Sequence, residues 1–128
     1  MRSGSWRGGD GWTAHEVLAH ISVLAKFYGV MTYSIATGKI SALDFIDKVR
    51  LRDVAGQQAA EEPPAELVQR AAADLRRTSA FLLKADPVSL RRRIDAGLGE
   101  SLSAEDVARL PLVSHTEEHL DQLESLLL

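Results

Sequence analysis

The stretch Trp12-Thr13-Ala14-His15-Glu16-Val17-Leu18-Ala19-His20 decides the fold. Thr13 is a natural N-cap. Glu16, three residues on, completes a capping box in which each side chain satisfies the other residue's backbone N–H. From that start Val17, Ile21, Leu24, Tyr28 and Met31 recur at helical spacing and fall on one side of a long helix. Gly38 ends it as a C-cap glycine would. His20 lies on the face of Glu16, Val17, Leu24 and Phe27, so an imidazole sits among apolar neighbours.

Outward from this helix the same periodicity continues, no segment alternates convincingly like a strand, and the fold class is all-α with four helices. The second helix is expected over residues 41–59, with Leu43, Ile46, Val49 and Val54 as its apolar stripe. Residues 61–64 break it, and Pro64 suits the first turn of the third helix. There Leu67, Ala71, Leu75, Thr78 and Leu82 face inward and Arg70, Arg76 and Arg77 face out. Asp86-Pro87 ends that helix. The connection 88–102 carries glycines at 97 and 99 and is long enough to hold a short turn of structure. Ser103 caps the last helix with Asp106 at N3. Pro111 lies inside that helix and predicts a kink or restart near Leu110.

At 128 residues the chain is one domain with a single core, preceded by a flexible segment over residues 1–11. Its 45% hydrophobic and 26% charged content is ordinary for a globular protein, and a net charge of −3 gives no footprint for nucleic acid. No cysteine is present, which excludes disulfides and thiolate ligands. No apolar signal or spanning segment is visible, so the expected location is the cytoplasm and no membrane is involved.

The chemistry rests on histidine. His115 and His119 are four apart, on one face of the closing helix, within the series Leu112, His115, His119, Leu123, Leu126. If the His20 helix packs on that face, three imidazoles converge. Three neutral imidazoles with an open coordination position make a catalytic-type site for zinc, nickel, iron or manganese. The rival reading keeps His20 as a core histidine bonded to a backbone carbonyl. His15 is on another face and reads as exposed and uninvolved. Gln122, seven residues after His115, is a further candidate for the pocket. Glu16 could accept an imidazole N–H, although its capping duty already explains it. Arg91-Arg92-Arg93 reads as solvated surface.

Two of these segments carry a resemblance. Trp12, the Thr13 cap, Glu16, the aliphatic pair Val17-Leu18 and His20, eight residues after the tryptophan, resemble the signature of the DinB-like superfamily. That group includes the N-terminal domains of mycothiol-dependent maleylpyruvate isomerases. The segment His115 to Leu123 resembles the family's final-helix pattern. Between the two motifs only the layout matches, so the resemblance covers residues 12–128 as a DinB-like helical domain.

The resemblance implies a four-helix bundle holding a divalent metal, zinc or nickel first, on His20, His115 and His119. Family members with known activity tend to be transferases or isomerases that use mycothiol, bacillithiol or glutathione against an electrophilic substrate, and they are often homodimers. A metal-dependent hydrolase and a non-catalytic binding or stress-response module are the alternatives. The family usually has a full helix before the tryptophan motif, whereas eleven residues precede Trp12 here. The expected bundle therefore lacks its usual first helix. The apolar groove so opened is covered by the 41–59 segment or by a second subunit of a homodimer.

Overall fold

The computed structural model describes residues 12–42 and 45–127, and of residues 45–49 the backbone alone. The expected N-terminal segment over residues 1–11 lies outside the described residues. Helix α1, Ala14–Ala36, starts where its capping box places it. Thr13 Oγ1 accepts the Glu16 N–H at 3.1 Å and Glu16 Oε1 accepts the Thr13 N–H at 2.9 Å. It ends in a Schellman turn. Gly38, at φ 75°, donates to the Ile35 carbonyl (3.1 Å), and Lys39 donates to that of Ser34 (3.0 Å).

Thirteen of the 23 residues of α1 are buried, which no single stripe can account for. A helix apolar on most of its circumference belongs in the middle of a fold. That is where α1 lies, packed against α2 (Phe45–Ala59), α3 (Pro64–Lys84) and the closing helix of the chain. Its two halves organise two apolar clusters. Trp12, Val17 and Ile21 meet Ala59, Leu67 and Ala71 at one end, with Leu123 packed against them. Leu24, Tyr28, Met31 and Ile35 meet Ile94, Val107 and Leu112 at the other.

On α3, Leu67 and Ala71 are buried and Arg70, Arg76 and Arg77 are exposed as the wheel predicts, with Leu75, Thr78 and Leu82 half-buried. Helices α1 and α3 approach closely at Gly29, where an added Cβ would overlap Thr78 Oγ1. Helix α2 departs from expectation. It begins at Phe45, and Val54 is exposed, while Ala59 joins the Trp12 cluster. Leu43 and the side chains of Ile46 and Val49 lie outside the described residues.

The all-α expectation holds for most of the chain but misses a hairpin. After the short helix α4 (Pro87–Leu90), strands β1 (Arg93–Gly97) and β2 (Glu100–Ser103) pair antiparallel. Only Ile94 and Ala96 on β1 are buried, an alternation too short to stand out in the sequence. The turn is Leu98-Gly99, with φ 54° and 77°, the doubly left-handed geometry of a type I′ hairpin. Leucine is an unusual occupant of the first of those positions.

The last helix is continuous but not uniform. The Ser103–Asp106 capping box forms in both directions, each bond 3.0 Å, and starts α5 (Ala104–Val107). A π-helical segment, Ala108–Ser114, then contains Pro111 and runs into α6 (His115–Leu127). Proline cannot donate to the helical ladder, and widening the turn to π geometry absorbs that loss without a break. Among the described residues no helix is long and apolar enough to cross a membrane.

Two substitutions test these assignments. Leu98→Asn, which suits a left-handed position and creates the preferred Asn-Gly turn, should raise unfolding free energy by about 1 kcal/mol. Gly29→Val should lower it by about 1–3 kcal/mol through overpacking of Thr78. Urea denaturation followed by circular dichroism reads both; an unchanged midpoint for Gly29→Val would contradict the close α1–α3 approach.

Candidate metal centre

Four rings gather where the N-terminal half of α1 meets α6. The His20 ring lies edge-on to His119, with centroids 4.6 Å apart. Trp12, held at the start of α1, packs against both. It is edge-on to His20 at 5.0 Å and stacked on His119 at 5.9 Å. His115 is one helical turn from His119, with its centroid 6.2 Å away. His20 and Trp12 are buried, His119 is half-buried, and His115 is exposed.

The structure therefore brings His20 to His119, and His119 to His115. Among the described residues, however, no three histidine or acidic side chains are arranged to hold one metal ion. The helix explains the offset. Four residues at about 100° each leave His115 rotated about 40° from His119, toward solvent. The expected leucine series fades in the same way. Leu112 is buried and Leu123 packs on the Trp12 cluster, but Leu126 is 47% exposed.

Burial sets the chemistry of His20. Loss of solvent is the main cause that drives its pKa from 6.5 down to about 3, and the nearby His119, Arg52 and His115 push it the same way. His20 is thus a neutral imidazole at physiological pH, the form that carries a lone pair for a metal. His119 is oriented from behind. Its Nδ1 is hydrogen-bonded to the Gln122 side-chain amide at 3.0 Å, which fixes the orientation of the ring. Gln122, weighed in the sequence as a pocket residue, takes this orienting role.

Other candidates fall elsewhere. Glu16 is used in the capping box. His15 is not uninvolved. It is half-buried, and its Nε2 donates to the Glu62 carbonyl at 2.6 Å, tying the start of α1 to the α2–α3 connection. Two polar residues were passed over in the sequence. Tyr28 was placed on the apolar stripe of α1, and Arg52 was not singled out. Arg52 Nη1 donates to Tyr28 Oη at 3.1 Å, and its Nε and Nη2 donate to Asp53 Oδ1 at 3.2 and 2.9 Å. Burial raises the Tyr28 pKa, and the Arg52 guanidinium opposes that rise. Nothing in the spacing of α2 could have singled Arg52 out, because its role depends on where α2 docks.

Comparison of the chain with protein-family models, with curated proteins and with solved structures returned no match in any of the three.

The buried His20 has a pH signature. Its pKa is 6.5 in the unfolded chain and about 3 in the fold, so between those values the unfolded state binds more protons. Stability is then fully present above the unfolded pKa and is lost as pH falls through it. In chelator-treated protein the loss should be on the order of 1 kcal/mol per pH unit over that window. Denaturation in a pH series measures it. His20→Gln should flatten the slope, and an equally steep slope in that variant would place the acid sensitivity elsewhere.

Proposed function

We propose that this chain is a divalent-metal-binding protein of the DinB-like, four-helix-bundle kind. His20, His115 and His119 are its ligands, and zinc or nickel is the expected ion. One observation carries the reading: a buried, neutral His20 ring lies 4.6 Å from a His119 whose Nδ1 is already bonded to Gln122. Imidazole rings, one of them kept neutral by burial, are a donor type that suits these metals. His115 is the third ligand by position on the helix, and as an exposed side chain it is free to change rotamer.

The class of reaction proposed is thiol-dependent transfer or isomerisation, with a low-molecular-weight thiol and an electrophilic small molecule as substrates. A divalent ion with an open position supplies Lewis acidity and favours the ionised form of a bound thiol at neutral pH. The residues present do the rest. Trp12 covers His20 and His119 with an apolar ring and keeps water from them. Gln122 holds the His119 ring in orientation through its hydrogen bond to Nδ1. Arg52, close enough to lower the His20 pKa, provides positive charge that favours an anionic partner.

A second reading is favoured by the stacking of Trp12 on His119 and by the offset of His115. It treats the rings as a packing cluster in a non-catalytic helical binding module. Elemental analysis separates the two. Protein purified without chelator, or offered zinc or nickel, should hold about one equivalent. His115→Ala and His119→Ala should each abolish most of that metal while leaving the circular dichroism spectrum intact. Gln122→Ala should weaken affinity by about 10–100-fold. Metal content that stays near zero after loading would sink the metal reading and leave the packing cluster.

A further inference from the structure

A cavity of about 580 Å³ opens beside His115, within the size range of small-molecule sites. Its walls come from the two places where the chain leaves regular geometry. Ala96, Leu98 and Leu102 belong to the hairpin, and Leu110 and Pro111 belong to the π-helical segment. The buried side chains of Val107 and Tyr28 form the floor, and among the described residues Arg52 is the only lysine or arginine lining it. π-Helical turns recur at functional sites, and here one shapes a wall that ends at His115.

We propose that this cavity binds a small molecule with an apolar body and a single carboxylate, and that Arg52 holds the carboxylate. The Arg52 side chain is 14% exposed and is fixed from two sides by Tyr28 Oη and Asp53 Oδ1. Those bonds use three of the five N–H donors of a guanidinium and leave one on each terminal nitrogen, a pair suited to a carboxylate. Tyr28 and Asp53 thus hold the group in place before a ligand arrives, which lowers the ordering cost of binding.

The acidic side chains around the cavity limit the ligand to one negative charge. Asp106 is engaged by the Ser103 N–H and by Arg93 at 3.4 Å. Glu100 and Glu118 are exposed at the mouth, where they repel a second anionic group. His115 lines the same cavity as Arg52, so a ligand held there lies within reach of its ring. This inference rests on the metal reading for what happens at His115, but the carboxylate site itself stands or falls without metal.

The test uses the full chain in chelator, with 3-phenylpropionate as the probe and 3-phenylpropionamide and phenylsuccinate as controls. Isothermal titration and backbone NMR shifts are the readouts. The monocarboxylate should bind saturably and shift the amides of residues 96–102. Amide and dicarboxylate should bind about ten- to a hundredfold more weakly, and Arg52→Met should weaken the acid by a similar factor. Arg52→Lys, which keeps the charge without the fork, should fall between. Should Arg52→Met not fold, the acid-against-amide ratio and the shift map in the natural chain decide the matter. Equal binding of acid and amide, or of acid and phenylsuccinate, overturns the proposal. So does binding that needs added metal and ignores Arg52→Met, because it would put the carboxylate on the ion. Zero metal uptake with intact, Arg52-dependent binding would instead end the metal reading alone.

Discussion

The burial of α1 on most of its circumference is the constraint from which the other features follow. A helix of 23 residues with thirteen buried cannot be stable by itself in water, so α2, α3 and the closing helix exist as its cover. Each uses a different part of it. Helix α3 takes the side on which Gly29 allows close approach. The π-helical segment and hairpin take the end around Tyr28 and Ile35, and α6 takes the end that carries His20. An imidazole on a buried face of such a helix loses its water, and that burial lowers its pKa, as at His20. The neutrality of His20 follows from the architecture before any ligand is considered.

The cavity owes its shape to departures from the helical rule. A hairpin closed by Leu98-Gly99 in left-handed geometry and a helix widened around Pro111 both interrupt an otherwise regular surface. Had residues 104–127 formed an uninterrupted α-helix, the face that carries His115 would be phased differently against the hairpin. The expense of these irregularities is real: an unfavourable φ at Leu98 and a ladder position that Pro111 cannot fill. Both sit beside the ring that the metal reading needs, in keeping with the tendency of strained backbone to collect where a ligand must be met.

The sequence made the ends of helices legible because caps are local chemistry. Thr13 with Glu16, Gly38, Pro64 and Ser103 with Asp106 each act within a few residues of themselves, and each does in space what its spacing implies. On α1 the stripe of Val17, Ile21, Leu24, Tyr28 and Met31 was legible and is buried, whereas the burial of its other faces was not. What depended on docking was not. Val54 is as apolar as its neighbours yet faces solvent. Arg52 looks like any surface charge until α2 brings it to Tyr28. The hairpin was hidden because its buried alternation is two residues long. Of the candidate site, the pairing of His20 with His119 could be anticipated from two helical faces, whereas the outward turn of His115 and the role of Gln122 required the packed rings.

Electrostatics link the histidine cluster to the cavity. Arg52 is near enough to His20 to depress its basicity and also lines the cavity that His115 lines, with Asp53 bonded to it as a counter-charge. A dication on the histidines would be repelled by the same guanidinium that attracts a carboxylate, and a bound carboxylate would remove that repulsion. Under both proposals, then, cation and anion stabilise each other, and linkage requires the effect to be reciprocal. Arg52 of α2 contributes to it by lining the cavity while acting electrostatically on His20.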